Sequence, residues 1–414
     1  MGEAITATVE AARRLTVTKQ RLSGKRPRRG TREDIVSVVR ALGYVQWDPV
    51  TVVAPSHLVS LWSRIGDFRL SDLEALLWDE RRLFEHWTPI ASLVLMEDYP
   101  VFDYLMKRYP ESLSKSWANH IPRAKKFLAD HVGLRRRILK DLEGGPLVQN
   151  QFRDYVKSKR SDDGWSSGSD VSTMLFHLLM RGEVMVVGHR GNQNVWGLSE
   201  KFLPEWVDKT ALKEEEFERL AAERAIRAMG TASPSEITYY FVRGRYGNLK
   251  KTLEALVSDS IIQRITVDGF GREARYVHAQ DVPLLEEVAG SAWHPRTALI
   301  APFDNLIAGR RRANTVFGFD YAHEQFLPKE KRIYGTWVLP VLRGERLIGR
   351  IDPRLDKERK KLIINSVHAE PGAPVGDEVA SDIAESIEGL SSFVGATGVE
   401  YGPRVPAGWR GRLR

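Results

Sequence analysis

The chain has 414 residues, with 62 lysines and arginines against 54 aspartates and glutamates, and it contains no cysteine. The length predicts several domains with cores of their own, and the missing cysteine excludes disulfide-built folds, cysteine-ligated zinc, iron–sulfur clusters and thiol nucleophiles. The net charge of +8 favours a polyanionic partner, such as nucleic acid or an anionic membrane surface.

Targeting signals are weak in this sequence. No apolar run approaches the roughly 20 residues that span a membrane, and the N-terminal residues lack the apolar core of a secretory signal. A short myristoylation pattern at residues 2–6 is compatible with chance. We therefore expect a cytoplasmic protein without a membrane partner. Because no helix shows a long heptad pattern, we also expect a monomer.

The first forty residues carry a charge of +6 and precede a strong helix signal. Thr31 is a candidate N-cap followed by acidic residues, apolar residues then recur at helical spacing, and Gly43 is placed to end the helix. Residues 44–48 predict a short extended segment that stops at Pro49. Apolar helices are expected near 57–65 and 70–77, and a hairpin is expected from 82–87 and 91–95.

Residues 101–140 carry a charge of +7 and predict a solvated helix pair. After it, the same order of elements occurs twice, with three helices before a hairpin, which is typical of a winged helix. The helices are predicted at 131–143, 146–156 and 171–180 in the first copy and at 213–229, 233–242 and 249–257 in the second. The hairpin strands are predicted at 183–187 and 194–198, and at 261–267 and 273–278. The first hundred residues fit a third, more divergent copy.

Beyond residue 293 short β-rich runs predominate, and a helix is expected at 377–394, followed by a loose basic tail at 402–414. The predicted fold class is α+β, with three tandem winged-helix domains followed by a small C-terminal antiparallel β-barrel or sheet. The predicted divisions are an N-terminal winged helix at 1–100, a basic helical linker at 101–130, winged helices at 131–208 and 209–290, a β domain at 291–400 and a tail at 401–414.

Most sequence signals of catalysis are absent or out of context. The ten histidines form no metal-ligand pattern, and there is no phosphate-binding Walker loop, so we predict neither a metal nor a cofactor. A Gly-x-Ser-x-Gly string at 164–168 follows polar residues instead of the buried strand that a nucleophile elbow requires, which indicates an ordinary loop.

One polar pair stands out in the extended segment. Gln46 and Asp48 are two residues apart, so a strand would direct both side chains to the same side, where they could hold one water molecule between them. From spacing alone, an ordinary turn or cap before Pro49 is the favoured interpretation. The catalytic interpretation remains open at this point.

Several blocks together resemble the winged-helix DNA glycosylases that unhook crosslinks, the AlkZ/YcaQ-like family. The blocks cover nearly the whole chain and are 42–48 (LGYVQWD), 57–64 (HLVSLWSR), 81–87 (RRLFEHW), 302–305 (PFDN), 317–321 (FGFDY) and 349–353 (GRIDP). The chain departs from the family pattern at two positions. Pro55 stands where some members carry Arg, and Pro89 stands where many members carry His.

The resemblance implies three tandem winged helices, a C-terminal β-barrel and monofunctional removal of N7-alkylated purines from double-stranded DNA, interstrand crosslinks included. It places the catalytic pair on Gln46 and Asp48, and it implies a nucleoid-associated enzyme. Arginines at hairpin tips or in basic and family blocks are expected to contact DNA, namely Arg64, Arg190, Arg272, Arg310, Arg311, Arg312, Arg332 and Arg350. The alternatives are a non-catalytic DNA-binding or regulatory protein and a protein-interaction scaffold.

Overall fold

The computed structural model describes residues 5–48, 50–88, 90–155, 169–271 and 273–413. The myristoylation pattern at Gly2, the string at 164–168, Pro49, Pro89 and Arg272 therefore lie wholly or partly outside the described residues. Within the described ranges, no helix combines the length and apolarity needed to cross a membrane. The chain begins with β1 (Ile5–Ala7) and α1 (Val9–Lys19), and β1 pairs in parallel with residues 265–267.

The first group of elements follows the predicted order. It comprises α2 (Arg32–Leu42), β2 (Tyr44–Gln46), α3 (Ser56–Ile65), α4 (Leu70–Glu74), β3 (Leu83–Trp87) and β4 (Ala91–Leu95). Thr31 and Asp34 form a capping box at the start of α2, and Gly43 ends the helix with a φ of 78°. The three strands form an antiparallel sheet in the order β2-β4-β3.

The second group departs from prediction at two places. It comprises α5 (Tyr99–Met106), α6 (Ile121–Asp130), α7 (Val132–Glu143), β5 (Leu147–Val148), α8 (Asp170–Met180), β6 (Val184–Arg190), β7 (Gln193–Leu198) and α9 (Ser199–Phe202). The helix predicted at 146–156 is wrong, because Val148 is extended and pairs with Val195 before a 3₁₀ segment begins at Gln149. The solvated helix pair is wrong for α5, because Phe102 is fully buried in a core shared with the third group.

The third group comprises α10 (Glu214–Met229), β8 (Thr231–Ala232), α11 (Pro234–Tyr240), α12 (Leu249–Ser258), β9 (Ile262–Val267), β10 (Arg275–His278) and α13 (Val282–Ala289). Its strands join β1 in a sheet of order β1-β9-β10-β8. Helices precede a hairpin in all three groups, so the α+β class is confirmed. The count of three winged helices and the domain boundaries stay predictions.

The C-terminal group forms an open sheet instead of a closed barrel. It comprises β11 (Thr297–Leu299), α14 (Arg310–Phe317), β12 (Leu339–Arg343), β13 (Arg346–Asp356), β14 (Lys361–Ala369), α15 (Asp377–Phe393) and β15 (Val399–Arg404). The strand order is β11-β12-β13-β14-β15, and β14 and β15 run parallel, so the sheet is mixed. The prediction of a loose tail is wrong, because β15 pairs within the sheet and Trp409 is fully buried.

Helix α3 lies at the junction of these groups. All of its residues except Leu58 are buried, which is typical of a helix enclosed on every side. Arg64 on α3 forms two hydrogen bonds with the carboxylate of Asp304, with donor–acceptor distances of 2.7 and 2.9 Å, and both side chains are fully buried. The ion pair therefore fixes α3, and the residues that precede it, to the C-terminal group.

We predict that Arg64→Met lowers the free energy of unfolding by about 3–5 kcal/mol, because it leaves the carboxylate of Asp304 buried without its charge partner. Arg69→Met is the matched control, since Arg69 also pairs with an aspartate, Asp72, but is largely exposed. We expect a loss below about 1 kcal/mol for the control. Urea unfolding followed by circular dichroism measures both, and equal losses would contradict the prediction.

Candidate active site

Gln46 is the last residue of β2 and lies opposite Ser92 of β4. The backbone N–H of the next residue, Trp47, still donates to the carbonyl oxygen of Ala91 at 2.8 Å, so the strand direction is kept for one more residue. The side chain of Gln46 is half-buried. Its amide can donate and accept hydrogen bonds at once, which is the property required to orient a water molecule.

Asp48 lies just beyond the strand and is 8% exposed. One carboxylate oxygen, Oδ1, accepts a hydrogen bond from the backbone N–H of Val50 at 3.2 Å. The other, Oδ2, accepts one from the hydroxyl of Ser56 at the start of α3, also at 3.2 Å. These two donors fix the orientation of the carboxylate, and each oxygen keeps a lone pair for a further hydrogen bond.

His57, the second residue of α3, lies beside the backbone of Asp48 and is neutral at physiological pH. Burial lowers the pKa of its imidazole to about 3, although the backbone of Asp48 counteracts this effect. The ring stacks on Trp47 with a centroid separation of 4.1 Å and an interplanar angle of 16°. Among the described residues, no hydrogen-bond partner faces its buried Nδ1 atom.

Trp47 also stacks on His189 of β6. The two rings are nearly parallel, with centroids 5.3 Å apart and an interplanar angle of 6°. The Nε2 atom of His189 lies 2.6 Å from Oε1 of Glu85 on β3. Burial acts to lower the pKa of His189, but the hydrogen bond and the charge of Glu85 outweigh it, so the pKa is raised. Trp47 therefore stacks on one neutral imidazole and on one that is more basic.

A third imidazole, His323, reaches the site from the C-terminal group. Burial lowers its pKa, whereas its hydrogen bond with Gln325 and the nearby charge of Asp48 act in the opposite direction. Its ring contacts Phe303 with a centroid separation of 4.6 Å. Phe303 has a φ of 65°, a left-handed conformation that is uncommon for a bulky residue and frequent at functional sites.

Sequence reasoning placed Gln46 and Asp48 on one short segment but missed the residues around them. Ser56, His57, His189 and His323 come from three other segments, and no spacing in the sequence links the three histidines. The only sequence signal for these histidines was their place in the family blocks: His57 opens the block at 57–64, and His323 follows the block at 317–321 by two residues. No pattern in the sequence indicated that β6 would reach Trp47.

Three of the arginines expected to contact DNA cannot reach it, because their guanidinium groups are buried and paired. Arg64 pairs with Asp304, as described above. Arg312 pairs with Glu236 at 2.6 Å and donates to two backbone carbonyls. Arg350 pairs with Glu370 at 2.5 Å and lies over the rings of two aromatic residues. These predictions are corrected to structural roles.

The remaining arginines keep their predicted role as a proposal. Arg190 is exposed at the tip of the β6–β7 hairpin, and Arg310 and Arg311 are exposed at the start of α14. Arg332 is half-buried and donates to the backbone oxygens of Leu327 and Gln325. Its position therefore also shapes the loop that precedes β12.

We predict a pH-dependent contribution of the His189–Glu85 pair to stability. Because the folded-state pKa of His189 is raised above its ordinary value of 6.5, the stabilisation is complete below that pH and is lost as the pH rises through the raised pKa. The difference in unfolding free energy between wild type and Glu85→Gln should therefore shrink as the pH rises above 6.5.

Glu97→Gln is the control for this measurement. Glu97 pairs with Arg40 and has a lowered pKa, so its pairing does not change over the same range. Urea unfolding at several pH values measures both differences. If the difference in unfolding free energy between wild type and Glu85→Gln stays as constant with pH as that of the control, the His189–Glu85 pair does not titrate in this pH range.

Two comparisons with known proteins agree with this architecture. A family model described as "DNA glycosylase AlkZ-like" matches residues 39–393, a range that includes Gln46, Asp48 and the three histidines. Among solved structures, the Streptomyces sahachiroi DNA glycosylase AlkZ is similar to this chain, with a TM-score of 0.65 and 17% sequence identity. The match covers 96% of this chain and 100% of that chain. At this identity the structural likeness establishes the fold.

Proposed function

The chain belongs to the AlkZ-like DNA glycosylase family and is a DNA glycosylase, and we propose that it hydrolyses the N-glycosidic bond of cationic N7-alkylated purines. Bulky adducts and interstrand crosslinks are included in the proposed substrates. The proposed nucleophile is a water molecule held by Gln46 and Asp48. Because no lysine stands in this motif, we propose a monofunctional reaction without a lyase step.

The observation that carries the proposal is the fixed, nearly buried carboxylate of Asp48. Departure of the base leaves oxocarbenium-like positive charge on the sugar, which a carboxylate stabilises. The same carboxylate can accept the proton of the attacking water, and the amide of Gln46 can orient that water. Both oxygens of Asp48 are held by donors on its own loop and on α3, so no reorganisation is needed before reaction.

Two of the three imidazoles in the site are neutral, and this favours a cationic base over a neutral one. The third, His189, has a raised pKa and is engaged by the carboxylate of Glu85. His57 and His323 both have lowered pKa values. Neither is therefore a protonated acid available for the leaving group at neutral pH. An N7-alkylated purine already carries positive charge, so it leaves without being protonated. His57 and His323 therefore suit a cationic base better than a neutral base, which must be protonated before it leaves.

The proposed partner is double-stranded DNA, bound by a monomer at the nucleoid. The exposed arginines Arg190, Arg310 and Arg311 are proposed to contact phosphates. Since a bulky adduct or crosslink resists full extrusion from the duplex, the reaction requires an open approach to the lesion instead of a closed pocket for a flipped base.

We predict that Asp48→Asn lowers the single-turnover rate of 7-methylguanine release by about 10²–10⁴-fold, the usual contribution of a general base. Binding to duplex DNA, measured by fluorescence anisotropy, should persist because the substitution keeps the shape of the side chain. Asp259→Asn is the matched control and should retain the wild-type rate. Asp259 lies at the end of α12 and pairs with Arg219, so it is not part of the candidate active site.

The outcomes of this experiment separate the proposals. If Asp48→Asn releases the base as fast as wild type, the catalytic role of Asp48 is wrong. If the wild-type protein binds DNA but produces no abasic sites from methylated or mustard-crosslinked duplexes, the non-catalytic alternative holds for these substrates.

We also predict that the rate depends on the charge of the leaving base. Duplexes that carry 7-methylguanine should lose the base, whereas duplexes with the neutral lesion uracil at the same position should not. His57 and His323 are not protonated at neutral pH, and His189 is engaged by Glu85. Alkaline cleavage of the resulting abasic sites measures both reactions. Comparable release of the two bases would overturn the preference for cationic lesions.

A further inference from the structure

One exposed apolar surface lies close to the candidate active site. Three of the large apolar side chains that are exposed among the described residues fall in the segment 325–333, namely Phe326, Leu327 and Ile333, which are 76%, 40% and 69% exposed. We call this segment the apolar loop. Exposed apolar side chains cost solvation energy, and a group of them commonly marks an interaction site.

The apolar loop is firmly held at its base. The buried carboxylate of Glu324 accepts hydrogen bonds from the backbone N–H groups of Tyr334 and Gly335, which joins the two ends of the loop. Arg332 donates to the backbone oxygens of Gln325 and Leu327 and to the hydroxyl of Thr336. The loop therefore presents its apolar residues on a rigid base, with little conformational entropy left to lose on binding.

The position of the loop connects it with the reaction. The ring of Phe326 contacts His323 with a centroid separation of 5.6 Å, and the protonated form of His323 is stabilised by the charge of Asp48. The imidazole of His323 thus contacts Phe326 and is also close enough to Asp48 to be affected by its charge. Arg310 also acts electrostatically on His323 and is exposed.

The charges around the apolar loop indicate what it binds. Lys329 and Lys331 are exposed within it, next to Arg332, and Glu330 is the only acidic residue between Phe326 and Ile333. An apolar tip with a positively charged border fits a nucleic acid duplex, in which phosphates surround a stack of flat apolar bases. An apolar surface on a protein partner would not require the positive charges of Lys329, Lys331 and Arg332.

We propose that Phe326, with Leu327 beside it, enters the DNA duplex next to the lesion and separates the base stack there. Opening the stack brings the sugar of the lesion within reach of Asp48 without extruding a bulky base. This inference rests on the proposed function. Besides the contact of Gln46 and Asp48 with the lesion, the inference adds a contact of Phe326 with the stacked bases. Phe326 takes no part in the chemical step.

The first test measures the single-turnover release of 7-methylguanine by Phe326→Ala. On a fully paired duplex, we expect the rate to fall at least about tenfold, because the variant cannot hold the unstacked step open. On a duplex whose lesion faces a bulge that already disrupts stacking, the rate should stay near that of wild type. Phe326→Trp should retain most of the activity on both substrates, and Trp206→Ala, which removes an exposed aromatic residue outside the loop, should behave as wild type.

The second test does not depend on turnover. A 2-aminopurine placed beside the lesion becomes brighter when it unstacks, so we expect the fluorescence to rise when Asp48→Asn binds the duplex and to stay low with Asp48→Asn/Phe326→Ala. If this rise occurs and depends on Phe326 while no base is ever released, the loop proposal stands and the proposed reaction fails. If base release is normal while neither the rate nor the fluorescence depends on Phe326, the loop proposal is overturned.

Discussion

The rest of this structure depends on the burial of one ion pair. Arg64 binds Asp304 of the C-terminal group and donates to the backbone oxygens of Gln20 and Ser60, so its guanidinium is satisfied without water. A buried charge is tolerated only when its partners are in place. The pair therefore forms only when the N-terminal segment, α3 and the C-terminal group are assembled together. Since Ser56 and His57 open α3, the same assembly sets the position of the carboxylate of Asp48.

The candidate site is built where separate segments meet, and no single unit contains it. Trp47 contacts α3 through His57, β4 through its backbone and β6 through His189. Its neighbours in the sequence, Gln46 and Asp48, are thus held in place through the contacts of Trp47. Contacts from three separate segments therefore fix the segment that carries Gln46 and Asp48.

The sequence predicted local structure well and long-range contacts poorly, for a physical reason. A capping box such as that of Thr31 and Asp34 forms between residues three apart, so its pattern can be identified directly. The family resemblance, which is confirmed, likewise rested on short blocks. Whether an arginine faces solvent or a buried carboxylate depends on residues far away in the chain, and the roles expected of Arg64, Arg312 and Arg350 were wrong for that reason. The pairing of Leu147 and Val148 with β7 overrode a local helix pattern in the same way.

The parallel pairing of β1 with β9 has a consequence for how the chain folds. Ile5 pairs with Ile265, and Arg13 and Arg14 donate to the carbonyl oxygens of Val316 and Val288. When the ribosome releases the first strand, its partners have not yet been synthesised. The apolar face of α1, which includes Leu15 and Val17, therefore stays uncovered until most of the chain has emerged. The order in which β1 and α1 are synthesised is therefore the reverse of the order in which they can be packed, since their contacts need residues 265–267, 288 and 316.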